Sequence, residues 1–310
     1  MAILLITNRN LVPGRSDEKT FGDRFNAKGP MELRIAQAWK KDGDWHVNVL
    51  KERNLSGRNL PSRDQFFTFR ETLIDGERNC VFFVHGHNQN LRKNLEKCAE
   101  LESYGVDVVA FSWPSRPGGF LVSKYQRSRR AAELSAPALD RAFEKLIGYF
   151  QELKDEPCNI SFNLVIHSLG NYVFQNFVEG RLLNGETRLF DNILLHQADV
   201  DSEGHGRWVS KLRYARRIYV THNENDKVLG FSDLVNPDRL GNTVGNAEVP
   251  TVRYVDFTNS GLVLDDHRMW EQARDNPAIE AFYKAVFHGE PAENTPNIAY
   301  DPDRNLYSVA

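Results

Sequence analysis

The chain has 310 residues, with 39 Lys and Arg against 42 Asp and Glu and a formal net charge of -3. A composition that is 41% hydrophobic and 26% charged, with 19 Phe, 10 Tyr and 5 Trp, excludes disorder as the main state. The near-neutral balance excludes a dedicated nucleic-acid binder, and a chain this long needs neither disulfides nor a structural metal to build a core.

The first residues carry a short apolar run, Ile3-Leu4-Leu5-Ile6, that reaches Arg9 quickly. It is too short for a secretory leader and reads as a first β-strand. No run of about 18 apolar residues follows, so no transmembrane span is expected. The cysteines Cys80, Cys98 and Cys158 show no C-x-x-C spacing. They read as reduced thiols, and the expected location is cytoplasmic.

Apolar runs then alternate with helical patterns, the signature of an α/β fold with a largely parallel sheet. Strands are predicted at Ala2–Thr7, Trp45–Lys51, Cys80–Val84, Val106–Phe111, Asn163–Ile166, Asn192–His196, Arg217–Thr221 and Thr251–Phe257. Helices are predicted at Met31–Lys40, Leu91–Tyr104, Arg127–Leu153, Leu169–Leu183 and Pro277–Phe287. The runs at Val81–Val84, Val108–Phe111 and Leu164–Ile166 are continuous, as in strands covered on both faces. Pro13–Pro30 reads as a surface loop, and Pro114–Lys124 as a loop at the strand ends. Asn223–Pro250 is long enough to be a lid or cap, and 289–310 reads as a flexible tail. The expectation is one domain over 1–288.

The most informative stretch is Leu164-Val165-Ile166-His167-Ser168-Leu169-Gly170-Asn171: an apolar strand, a serine, a glycine, then an amphipathic helix. A serine at such a turn lifts its Oγ above the sheet and aims the next amide, that of Leu169, at a developing oxyanion. The pattern departs from G-x-S-x-G at Ile166, where a small residue is usual. A second apolar strand ends at Val84-His85-Gly86-His87, so the amide of His87 is the other candidate oxyanion donor. Losing one such donor costs about 3–4 kcal/mol of transition-state stabilisation.

A nucleophilic serine needs a base, and the base needs an orienting acid. Asp226 follows the strand Arg217–Thr221, and His267 follows Thr251–Phe257. The order Ser168, Asp226, His267 is the Ser–Asp–His order of α/β hydrolases. Asp199 and Asp201 are alternative acids and Glu224 a weaker one; His205 and His222 are alternative bases.

His85-Gly86, Phe111-Ser112-Trp113-Pro114-Ser115, Ile166-His167-Ser168-Leu169-Gly170-Asn171 and Asn225-Asp226 together resemble a bacterial branch of the α/β-hydrolase superfamily. That branch is described only as α/β hydrolases of unknown function, and the likeness covers roughly Val81–His267. The resemblance implies an eight-stranded, mostly parallel sheet with helices on both faces. It also implies a site in which Ser168, Asp226 and His267 form the triad. It implies no particular substrate.

The expected activity is that of a serine hydrolase acting on an ester, thioester or amide, with a carboxylester or lipid acyl substrate preferred. No cofactor or metal is required by that chemistry. Two other readings stay open: a non-catalytic, hydrolase-like binding or scaffolding module, and a metal-dependent hydrolase. The latter is suggested by His85, His87, His167, His196 and His222 at predicted strand ends, although their spacing matches no zinc motif. The sequence does not specify an oligomeric state.

Overall fold

The structure is a computed structural model that describes residues 2–50, 61–153, 155–156, 158–180, 188–233, 236–245 and 247–310. The chain gathers into two compact units. One comprises Met1–Phe83 and His87–Ile160, the other Val84–Gly86 and Ser161–Ala310.

The first unit contains strands β1 (Ile3–Thr7), β2 (Arg9–Leu11), β3 (Phe21–Phe25), β4 (Arg34–Lys41), β5 (Asp44–Val49), β6 (Cys80–Val84, all but its last residue) and β7 (Asp107–Ser112). Its helices are α1 (Pro61–Asp75), α2 (Leu91–Glu102) and α3 (Leu121–Glu152). The sheet order is β6-β7-β1-β4-β5, with β2 and β3 paired separately. β1 runs parallel to β7 and antiparallel to β4. The continuous apolar runs are buried throughout: every residue of Ile3–Ile6 and Cys80–Val84 lies inside. On α3, Leu139, Phe143 and Leu146 are buried while Ile147 and Phe150 on the same face are half-buried, and the Phe143 ring meets that of Phe82 at 5.2 Å.

One predicted helix, Met31–Lys40, is a strand. Ala, Gln, Lys and Leu favour helix in isolation, but Ile35, Ala36 and Ala38 bury their side chains between β1 and β5 as β4. Tertiary pairing overrides local preference here.

The second unit contains β8 (Phe162–His167), β9 (Phe190–His196), β10 (Ala215–His222), β11 (Val252–Asp256), β12 (Ile298–Asp301) and β13 (Leu306–Val309). Its helices are α4 (Gly170–Glu179), α5 (Gly206–Val209), α6 (Lys227–Asp233), α7 (Met269–Gln272) and α8 (Pro277–Phe287). The order is β12-β13-β11-β10-β9-β8. All pairs are parallel except β12 with β13. Parallel strands end on the same side, so the turns after β8, β9, β10 and β11 emerge together. Asn276 caps α8 by accepting from the amide of Ala278, and Pro277 opens the helix. Ile279, Phe282, Tyr283 and Val286 then form its fully buried face.

Among the described residues, five sheet strands lie in the first unit and six in the second, where eight were expected in all. The class is the expected one, a mostly parallel sheet flanked by helices. The additions are β4, between β1 and β5, and β12 and β13 beside β11. Residues 289–310, read as a flexible tail, include two of them. Leu306 and Val309 are buried while Tyr307 and Ser308 between them are not, and β13 pairs with β11. Four-residue strands carry too little periodicity to stand out in a polar segment.

The 223–250 excursion also differs from an open lid. It begins with α6, and its later part pairs with the turn after β9. The amides of Leu240 and Gly241 donate to the carbonyls of Val200 and Ala198, and both Arg239 and Leu240 are fully buried. Among the described residues, no helix is long and apolar enough to cross a membrane.

Candidate active site

β8 ends at His167, and Ser168 turns the chain at φ 55°, a left-handed conformation that non-glycine residues seldom adopt. α4 starts two residues later at Gly170. The turn is clamped from several sides. The Ser168 amide donates to the His196 carbonyl at 3.0 Å, and Asn171 Nδ2 donates to the carbonyls of Ile166 and Ser168, each at 3.0 Å. A Cβ on Gly170 would lie 2.8 Å from the carbonyl oxygens of both Val84 and His85. Close approach is therefore made at Gly86 and Gly170, while Ile166 stays fully buried in β8 opposite Leu195. The left-handed turn at Ser168 forms with Ile166 in place.

His267 follows β11 by way of a loop, and its Nδ1 donates to Asp226 Oδ2 at 2.6 Å. That bond leaves Nε2 as the nitrogen with the lone pair; it is buried and has no hydrogen-bond partner. Asp226 sits just after β10, where its Oδ1 accepts from the amides of Val228 at 2.9 Å and Leu229 at 3.1 Å. Asn223, also just after β10, holds the loop that carries His267. Its Nδ2 donates to the carbonyls of Leu264 and Asp266. Ser168 is 4% exposed, and its hydroxyl is not hydrogen-bonded to His267.

A comparison with protein families matches residues 65–268 to the family described as alpha/beta hydrolase of unknown function (DUF900). The chain belongs to this family. No curated protein matches it.

In this α/β hydrolase the competing acids are engaged elsewhere. Asp201 forms an ion pair with the fully buried Arg239, while Asp199 accepts from Ser232 Oγ at 2.7 Å and lies 3.9 Å from Arg239 Nη1. Glu224 is exposed. The competing bases are also committed: His205 bonds Ser202 O and Tyr254 Oη, and His222 bonds Asp256 and Asn242 O.

The remaining histidines do not converge on one point. His85 bonds the Gly86 carbonyl at 2.9 Å. His167 meets His196 through their Nδ1 atoms at 3.3 Å, and His196 Nε2 meets Tyr283 Oη at 2.8 Å. Among the described residues, no group of three or more His, Cys, Asp or Glu is arranged to hold a metal ion. His87 belongs to the first unit, where its Nδ1 donates to Ser128 Oγ at 2.9 Å. Burial, followed by the charge of Lys124, lowers its pKa to about 4. The side chain is thus neutral near pH 7, and only its amide was proposed for the oxyanion.

Three further residues support the site in positions that the sequence does not assign to them. Gln197 donates to Asp226 Oδ2, Asn171 clamps the serine turn, and the His167 ring packs 4.7 Å from that of His267. Asn171 and His167 stand beside the serine in sequence, which offered a hint. Gln197 stands far from every motif.

Proposed function

We propose that this α/β hydrolase is a serine hydrolase that cleaves an ester, thioester or amide, with residues 1–288 acting as one catalytic domain. The observation that carries the reading is the His267–Asp226 bond, made in the same unit that holds Ser168 at φ 55°. In this reading His267 Nε2 takes the Ser168 hydroxyl proton as Oγ bonds to the acyl carbon. Asp226 stabilises the imidazolium through Nδ1–H. The proton then passes to the leaving group as its bond to the acyl carbon breaks. Water, deprotonated by the same nitrogen, releases the acid and restores Ser168.

The amide of Leu169 stands next to the nucleophile, and among the described residues no turn or loop hydrogen bond uses it. It is the first oxyanion donor in this reading, and the amide of His87, one residue beyond Gly86, is the second. A carboxylester or lipid acyl substrate is preferred because the fold most often supports that chemistry, an argument by analogy.

One observation favours a non-catalytic binding module: His267 Nε2 makes no hydrogen bond. Catalytic hydrogen bonds are commonly long without substrate and tighten in the complex. A fluorophosphonate probe separates the two readings. Covalent labelling of the wild type that is lost in Ser168→Ala supports the hydrolase, and equal labelling or none in both supports the binding module.

A further inference from the structure

We propose that Gln197 is a positioning residue of this site: it holds the Asp226 carboxylate in place and moderates its pull on His267. The inference rests on the serine-hydrolase reading above.

Gln197 is the first residue after β9 and sits at φ 40°, a left-handed conformation with nothing in the residue type to favour it. Its surroundings impose that conformation. The Gln197 amide donates to Thr221 Oγ1 at 3.0 Å, and the Thr221 hydroxyl donates back to Gln197 Oε1 at 3.1 Å. The carboxylate of Asp226 and the Gly241 carbonyl, which only accept, settle which end of the side-chain amide is nitrogen. Nε2 then donates to Asp226 Oδ2 at 2.8 Å and to the Gly241 carbonyl at 3.2 Å.

Gly241 is close enough that a Cβ there would lie 2.5 Å from the carbonyl carbon of Gln197 and from the amide nitrogen of Ala198. Gln197 and Thr221 are fully buried and Asp226 is 1% exposed, so water does not compete for these bonds. A buried glutamine whose whole side-chain amide is satisfied, held in a strained backbone and aimed at the acid of a His–Asp pair, serves that acid.

The consequence follows from sharing. Asp226 Oδ2 accepts from Gln197 and from His267 at once. Negative charge engaged by a neutral donor is less available to the imidazolium. Gln197 therefore fixes the carboxylate's direction and shares the oxygen that faces His267 Nδ1. Among the described residues, the other charged or titratable groups around His267 are Asp266 and Arg268 on its own loop and His167, with Asp265 of that loop paired to Lys227 of α6.

The test uses Gln197→Met, of similar size without the donor, and Gln197→Glu, which places a second carboxyl beside the first. The His267 titration midpoint is read by NMR, and the pH dependence of fluorophosphonate labelling is read on the full chain. The expected result is a midpoint raised by about half a unit in Gln197→Met and by a unit or more in Gln197→Glu, with the acid limb of labelling moving by the same amount. A packing role alone would lower thermal stability and leave both midpoints unmoved.

Should the Gln197 variants not fold, Thr221→Val frees the side-chain amide and is expected to shift the midpoint in the same direction, with Thr221→Ser restoring it. Unshifted midpoints in the folded variants, with the wild type labelled normally, overturn the role of Gln197 alone. A wild type that the probe does not label overturns the hydrolase reading and this proposal with it.

Discussion

Gly86 and Ser168 meet so closely that a Cβ on Gly86 would lie 2.6 Å from the Cβ of Ser168 and 3.1 Å from its Oγ. The glycine after His85 is thus a steric requirement of the serine turn. No other residue type leaves Ser168 its position.

Gly86→Ala is accordingly expected to displace Ser168, to destabilise the protein by about 1–3 kcal/mol and to cut fluorophosphonate labelling at least tenfold. Gly148 in α3 is the control, because nothing lies within 4 Å of a Cβ there. Gly148→Ala is expected to stabilise by about 0.5–1 kcal/mol and to leave labelling unchanged. Thermal midpoints and labelling rates check both.

The two candidate acids have opposite signatures. Asp226→Asn keeps the shape of the site but reverses what His267 Nδ1 meets, so labelling is expected to fall by about 10³-fold or more with little loss of folding. Asp199→Asn weakens the Ser232 bond and the neighbourhood of the buried Arg239. Its expected effect is a loss of about 1–3 kcal/mol in urea unfolding, with labelling per folded molecule within a few-fold of wild type.

Asp256 gives the protein an acid-sensitive element. Burial alone would raise its pKa, but hydrogen bonds from His222 and Thr258 outweigh this and lower it to about 2. The unfolded chain holds this proton more tightly, so the contribution is complete above about pH 4 and is lost as the pH falls through about 2. The wild type should exceed Asp256→Asn by about 1–2 kcal/mol at pH 6. Urea unfolding at pH 6 and at pH 2.5 checks that the gap narrows in acid.

Leu264 is 73% exposed and sits at φ 46°, three residues before His267. Its carbonyl accepts from Asn223, a bond that does not depend on the side chain. Leu264→Gly relieves the left-handed strain and is expected to stabilise by about 0.5–1 kcal/mol. A thermal midpoint at or below that of wild type would count against that strain.

Legibility tracked how local each signal is. The runs Val81–Val84 and Leu164–Ile166 are apolar without interruption, and a strand covered on both faces has no other composition. Ser168 and Gly170 could be read because a tight strand-to-helix turn constrains neighbours in sequence. β4 could not, because its residues favour helix until β1 and β5 flank them. β13 could not, because four residues beside β11 leave no period to detect.

The sequence by itself determined the α/β alternation, the serine turn and the order Ser168, Asp226, His267, since each depends on residue type at short range. Only the tertiary structure decided which acid His267 meets. Asp199, Asp201 and Asp226 all follow strands; the buried Arg239 engages Asp201 and lies near Asp199, and the loop held by Asn223 delivers His267 to Asp226. It also decided that Gln197 belongs beside that acid. Parallel strands bring their ends together in space while leaving them dozens of residues apart in the chain, and no spacing rule records which ends will meet.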